Sequence, residues 1–367
     1  MDLALYAPGL GYYVAGEAGR SIPAADFQTS PQVHPAFGRL LARELLRIWS
    51  AIDRPSPFRI AELGAGDGEL ARQILAGLAD EQPDVAVEYH AVELGQPPLP
   101  PAPSPTRGEG EENGGPRSPS PRVGEGAGGR GGCRHWPSLA ALCQTVPAVD
   151  CIVSNEFFDA LPVHRLARLN GRFWELYVDA AGDGFGERWG ELSTSRLAEW
   201  LEARPEALAD GWRGEACLRL EPILADVAQL VERGAVLTID YGYGATDAAG
   251  ELPGDTVVGY RRHQWTDDLY RLAGELDLTS HVDFRALFRV GRTVGLVPAG
   301  ATTQRGFLLG LGLARDAERW VGREATPGRR WQARCALTEL VQPSGLGRLT
   351  VVLQTKGVAS FLLTGAS

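Results

Sequence analysis

Hydrophobic positions along the 367-residue chain fall into runs that alternate between helical and strand-like spacing. A Ser30-Pro31 step reads as an N-cap with proline at the first helical position. Phe37, Leu40, Leu41, Leu45 and Ile48 then repeat at helical intervals up to Trp49. An apolar strand is predicted over 58–63, ending at Gly64, with a helix after it marked by Leu70, Ile74, Leu75 and Leu78. Further strands are predicted over 85–92, ending at Glu93, over 151–154, and over 235–239, ending at Asp240. Runs over 165–169 and 172–178 flank Asn170-Gly171, a two-residue hairpin signal. Helices are expected near 195–202 and 222–232, and a late strand over 350–354. Strands alternating with helices predict an α/β fold with a mostly parallel sheet. In such sheets ligands lie beyond the carboxyl ends of the strands, so Gly64, Glu93, Asn155 and Asp240 are expected around one crevice.

Composition changes this picture at one place. Residues 97–132 hold 9 of the 25 prolines and 10 of the 46 glycines, with a short repeat from Pro103 that returns at Pro119. Such a stretch buries too little apolar surface to fold by itself, so it reads as a flexible, disordered insertion. The rest has globular composition and carries the net charge of −10. That sign argues against nucleic-acid binding, which needs clustered basic residues. Lys356 is the only lysine, which excludes a Walker-type phosphate loop. No apolar run is long enough to span a membrane. The five cysteines are widely spaced, with no C-x-x-C pair and no metal set. They favour free thiols in a reducing compartment. With no basic-then-apolar leader, the expected location is the cytoplasm.

Two segments carry candidate chemistry. The first is Glu62-Leu63-Gly64-Ala65-Gly66-Asp67-Gly68-Glu69. Glycines at a strand-to-helix turn permit positive φ and close ligand approach. A dinucleotide fingerprint needs glycine where Glu69 stands, and Glu69 sets a carboxylate where a pyrophosphate would sit, so a nicotinamide reading is disfavoured. A G-x-G-x-G turn opening with an acid resembles class I methyltransferases that use S-adenosylmethionine. Glu93, ending the next strand, is placed to accept ribose hydroxyls; the competing reading is a solvated loop acid. The second segment is Asn155-Glu156-Phe157-Phe158-Asp159-Ala160-Leu161-Pro162. Glu156 and Asp159 are three apart, so one turn aims both at a single point. Buried polar groups at a strand end need a partner; the phenylalanines read as core.

Taken together, these residues resemble the MidA-like family. Gly11-Tyr12-Tyr13, Asp26-Phe27-Gln28-Thr29-Ser30-Pro31, the glycine turn and the Asn155–Pro162 octet carry the likeness. Asp240-Tyr241-Gly242-Tyr243, Tyr260-Arg261-Arg262-His263, Asp277-Leu278-Thr279-Ser280-His281-Val282-Asp283-Phe284 and Gln304-Arg305-Gly306-Phe307-Leu308 continue it in order. Departures are Ala25, where the family has glycine, and the insertion that follows Glu93, where the family continues into a helix. The resemblance implies a Rossmann-like class I methyltransferase sheet with an N-terminal helical region and inserted cap elements. The corresponding division is an N-terminal region 1–57, a first core half 58–162, an inserted hairpin and helices 163–232, and a second core half 233–367 with a cap excursion 241–300.

The resemblance further implies S-adenosylmethionine as methyl donor and a protein arginine as acceptor, on a respiratory complex subunit or similar protein partner; a homodimer is also entertained. Two alternatives stay open: a scaffold with a methyltransferase fold and an impaired cofactor site, and a methyltransferase for a non-protein acceptor. On this reading Glu62, Gly64, Gly66, Gly68, Glu93 and Asn155 bind the cofactor. Thr29 and Ser30 bind its carboxylate or simply cap a helix. Glu156 and Asp159 grip the guanidinium bidentately. His263 is the candidate proton acceptor, with His281 and Asp283 as further candidates. Tyr243, His281 and Asp283 are placed at the substrate entrance.

Overall fold

The computed structural model describes residues 1–14, 28–93, 131–182, 184–204, 207–245, 254–261, 264–358 and 361–366. The predicted Pro/Gly insertion, apart from its last two residues, lies outside them, as do Asp26, Phe27 and His263.

Seven strands form the central sheet: β1 (Phe58–Leu63), β2 (Val87–Val92), β3 (Gly131–Trp136), β4 (Cys151–Asn155), β5 (Gly234–Asp240), β6 (Val297–Thr303) and β7 (Thr350–Lys356). Their order is β3-β2-β1-β4-β5-β7-β6. The first five run parallel, and β7 enters antiparallel between β5 and β6. This is the expected Rossmann-like architecture. Both faces of the sheet are covered, so the central strands read as continuous apolar runs; every residue of β4 and β5 is buried. Successive side chains enter opposite cores. Ile60, Val153, Leu237 and Val351 pack with the helix Ala36–Ala51, while Ala61, Ile152, Val236 and Val352 pack with the helices Leu220–Leu230 and Phe284–Thr293.

Among the described residues the pair Gly242–Tyr243 and Val282–Asp283 forms a two-stranded ribbon, and two larger sheets extend from the core. His164–Leu169 and Arg172–Ala181 form the hairpin, with φ of 52° at Asn170 and 73° at Gly171, as a type I′ turn requires. Gly184–Gly190 and Arg213–Ala216 complete a four-stranded antiparallel sheet. The other sheet joins Gln264–Thr266, Val258–Arg261 and Asp277–Thr279. Against it lies the N-terminal segment, with Leu5 and Tyr12 buried among Leu269, Leu276 and Leu278.

The structure differs from the sequence expectations in four places. The helix expected from Ser30 to Trp49 is two helices, Ser30–Val33 and Ala36–Ala51. Pro35 disfavours helical backbone at His34, which is extended at φ −160°. The cap excursion returns to the core at Phe284, well before residue 300. The expected insertion ends in a strand, since Gly131 and Gly132 already belong to β3. The surface helices Leu313–Gly322 and Pro327–Glu339 carried too few apolar positions to be recognised. Among the described residues no helix is long and apolar enough to cross a membrane.

Candidate active site

The crevice forms where β1, β2, β4 and β5 end. Past β1 the backbone takes left-handed conformations at Gly64, Gly66 and Gly68, with φ of 71°, 51° and 73°. A Cβ at Gly66 would meet no atom within 4 Å, so its backbone faces open space that a ligand can enter. The Gly66 N–H donates to Glu93 Oε2 at 2.8 Å. Glu93 is held in turn by β3, its own N–H donating to the Trp136 carbonyl at 3.0 Å. The chain therefore returns from the insertion in the position that secures this acid. Glu62 is nearly inaccessible and accepts the Tyr89 hydroxyl at 2.7 Å. Burial pushes its carboxyl up to about 8. Its place is thus inside the sheet, beneath the glycine turn.

The Asn155–Pro162 turn leaves the end of β4. Asn155 donates through Nδ2 to Glu156 Oε1 at 2.9 Å, and its Oδ1 is buried with no partner among the described residues. Glu156 is half-buried and adopts φ 52°, an unfavourable conformation for glutamate. Burial, then the Asp159 charge, pushes the Glu156 carboxyl up to about 8, against hydrogen bonds from Asn155 and the Ser30 N–H. Asp159 is 5% exposed. Burial raises both Asp159 and Asp240. Four N–H groups converge on Asp240, hydrogen bonds that favour its charged form. Among the described residues neither Glu156 nor Asp159 forms an ion pair.

The remaining candidates have other surroundings. Thr29 caps the helix Ser30–Val33, and its N–H donates to Gln32 Oε1 at 3.2 Å. Ser30 is fully buried; its hydroxyl donates to Gln304 Oε1 at 3.0 Å and its N–H faces Glu156. Tyr243, His281 and Asp283 do come together, around a small cavity of about 20 Å³ that Phe158 and Trp200 also line. That volume suits a water-sized guest. Asp283 pairs with the buried Arg204 at 2.9 Å and caps the helix Phe284–Thr293 through the N–H groups of Arg285 and Ala286. Burial lowers His281 below the usual histidine range.

Sequence reasoning left four residues of this region without a role. Asp240, expected at the crevice but given no task there, holds the acid turn. Tyr6 donates to the Ala160 carbonyl at 3.0 Å, and Tyr13 to Asp277 Oδ1 at 2.6 Å. The only sequence signal for Tyr13 and Asp277 was membership of the family motifs; Asp240 also ended a predicted strand, and Tyr6 had none.

The family described as "Putative S-adenosyl-L-methionine-dependent methyltransferase" matches residues 40–100 and 120–302. The chain belongs to this family. Similar to the methyltransferase is the Drosophila melanogaster protein named protein arginine methyltransferase NDUFAF7 homolog, mitochondrial. It is 31% identical over 309 residues, which cover 82% of this chain and 68% of that protein. The human protein arginine methyltransferase NDUFAF7, mitochondrial, is 27% identical over 365 residues, covering 93% and 75%. A Burkholderia thailandensis protein solved bound to S-adenosyl-homocysteine matches the fold with a TM-score of 0.73 at 23% identity, over 99% of this chain and 88% of that one. The curated relatives are named as mitochondrial, which overturns the cytoplasmic location expected from the sequence. The methyltransferase uses S-adenosylmethionine, and its residues fit that group. The open space over Gly66, the Glu93 carboxylate and the Asn155 Oδ1, which has no partner among the described residues, offer room and acceptors where such a cofactor would lie.

Proposed function

We propose that the methyltransferase transfers a methyl group to the guanidinium of an arginine side chain on a protein. The observation that carries this reading is the pair of carboxyl groups on one turn, Glu156 and Asp159, raised by burial and lacking any ion-pair partner among the described residues. Acids in that condition either keep a proton or take a cation. A guanidinium is such a cation, with several N–H groups in one plane. The relatives named as protein arginine methyltransferases support the same acceptor.

S-adenosylmethionine supplies an activated methyl group on a sulfonium. Glu93, the glycine turn and Asn155 would hold it. Glu156 and Asp159 would take two N–H edges of the acceptor and leave a third nitrogen directed at the donor, which contributes mainly by positioning. The nitrogen that gains the methyl loses a proton, and Glu156, poised near about 8, is matched to receive it. Tyr243, His281 and Asp283 would support the turn from behind Phe158. The substrate class proposed is a respiratory complex subunit, on the MidA-like resemblance.

The test is incubation with methyl-labelled S-adenosylmethionine and a mitochondrial extract, followed by mass spectrometry of the labelled protein. Label on arginine supports the reading. Label on another side chain, or on a non-protein acceptor alone, overturns it.

A further inference from the structure

Tyr6 and Tyr13 lie far in sequence from the acid turn yet reach its surroundings. The Tyr6 hydroxyl bonds the carbonyl of Ala160, the residue after Asp159, at 3.0 Å. The Tyr13 hydroxyl bonds Asp277 Oδ1 at 2.6 Å. The two rings stack with centroids 5.6 Å apart and planes 25° from parallel. Behind them the segment is anchored, because Leu5 and Tyr12 are buried and the Tyr12 and Tyr13 N–H groups fold back on the Ala4 and Leu5 carbonyls. The stack is therefore fixed in place. Both phenols are pushed up, first by burial and then by carboxylates that include Asp159 and Asp277. Glu93 acts on Tyr6 in the same sense, and Asp277 acts on Glu156. The stack is thus tied on one side to the acid turn, through the Ala160 carbonyl, and on the other to Asp277.

We propose that the Tyr6–Tyr13 stack and Asp277 form a third wall of the acceptor site, which selects a guanidinium over an ammonium. This rests on the arginine reading of Glu156 and Asp159. A planar, weakly hydrated guanidinium lies flat on an aromatic face and still presents its edges to carboxylates. A lysine ammonium is compact and strongly hydrated, so it gains less from the same wall. Asp277, oriented by Tyr13, adds a further acceptor for the N–H groups that Glu156 and Asp159 leave over.

Calorimetric titration of the full chain, saturated with S-adenosyl-homocysteine, tests this with end-blocked Gly-Arg-Gly and Gly-Lys-Gly. The unaltered protein is expected to favour the arginine peptide. Tyr6→Leu should lower that preference about fivefold or more, whereas Tyr6→Phe, which keeps the ring, should retain it. Asp277→Asn, which keeps an oxygen for Tyr13, should weaken arginine-peptide binding about threefold or more; it carries the test should Tyr6→Leu not fold. An unchanged preference in folded Tyr6→Leu, or unchanged arginine-peptide binding in Asp277→Asn, overturns the wall and leaves the arginine reading standing. An unaltered protein that does not favour the arginine peptide overturns both.

Discussion

The Asp240 carboxylate at the end of β5 accepts the Phe158 N–H at 2.8 Å, across 82 positions of sequence. The same oxygen takes the N–H groups of Phe157 and Asp159, and the other takes that of Tyr241. This convergence holds a turn in which Glu156 has positive φ, a strain that local preference would otherwise release. Asparagine at 240 would keep one oxygen and turn an N–H₂ group toward donors. Asp240→Asn is expected to lower unfolding free energy by about 3 kcal/mol in a denaturant titration. It should also lower kcat more than it raises the cofactor Kd, since the displaced groups are Glu156 and Asp159.

Glu156→Gln keeps the shape of the turn and one acceptor oxygen but removes the charge. Methyl transfer to the protein substrate should fall about a hundredfold or more, as loss of a proton-accepting group does. S-adenosylmethionine affinity, measured by calorimetry, should stay nearly unchanged. Unaltered transfer in this variant would defeat the grip assigned to Glu156.

The pH dependence of the reaction follows from the same carboxyl. Without acceptor, Glu156 holds its proton up to about pH 8. A guanidinium must displace that proton to be gripped, so kcat/KM should rise with pH and level off above about 8. The residual activity of Glu156→Gln should lack this rise.

Glu62 makes a stability prediction of definite sign. Its folded carboxyl stands at about 8, against 4.5 as the ordinary value. An acid raised on folding keeps its proton in the native state while the unfolded chain gives it up. The stabilisation is therefore complete below pH 4.5 and is lost as pH rises through about 8. Glu62→Gln, which still offers Tyr89 an oxygen, should flatten the fall in unfolding free energy over that range. The change in slope should be up to about 1.4 kcal/mol per pH unit, read from denaturant titrations.

Gly66→Ala separates folding from cofactor binding. The new methyl meets no protein atom within 4 Å, so the fold loses only the strain of positive φ, about 1 kcal/mol. The methyl projects into the space left for the cofactor. The S-adenosylmethionine Kd should rise about tenfold or more while the thermal transition moves by only a few degrees.

Much of the sheet was legible in advance. β1 runs over the predicted 58–63, and the hairpin turns at Asn170-Gly171. Both are local: one reads a buried apolar run and the other a pair of residues that tolerate positive φ. The strands within 241–300 were obscured by glycine and charge, because they are short and win their place through contacts with Leu5, Tyr12 and the core. The glycine turn and the Asn155–Pro162 turn were legible as local structure for the same reason, each lying within eight consecutive residues.

The core strands, the glycine turn and the three-residue spacing of Glu156 and Asp159 follow from the sequence alone, because each depends on near neighbours in the chain. Only the tertiary structure decided which distant groups surround them. It committed Asp283 to Arg204 and a helix cap, and Ser30 to Gln304. It gave Asp240 to the acid turn and Asp277 to Tyr13. A carboxylate's role depends on the donors and charges that folding brings within reach. Those partners come from positions as much as 274 residues apart, where local pattern carries no information.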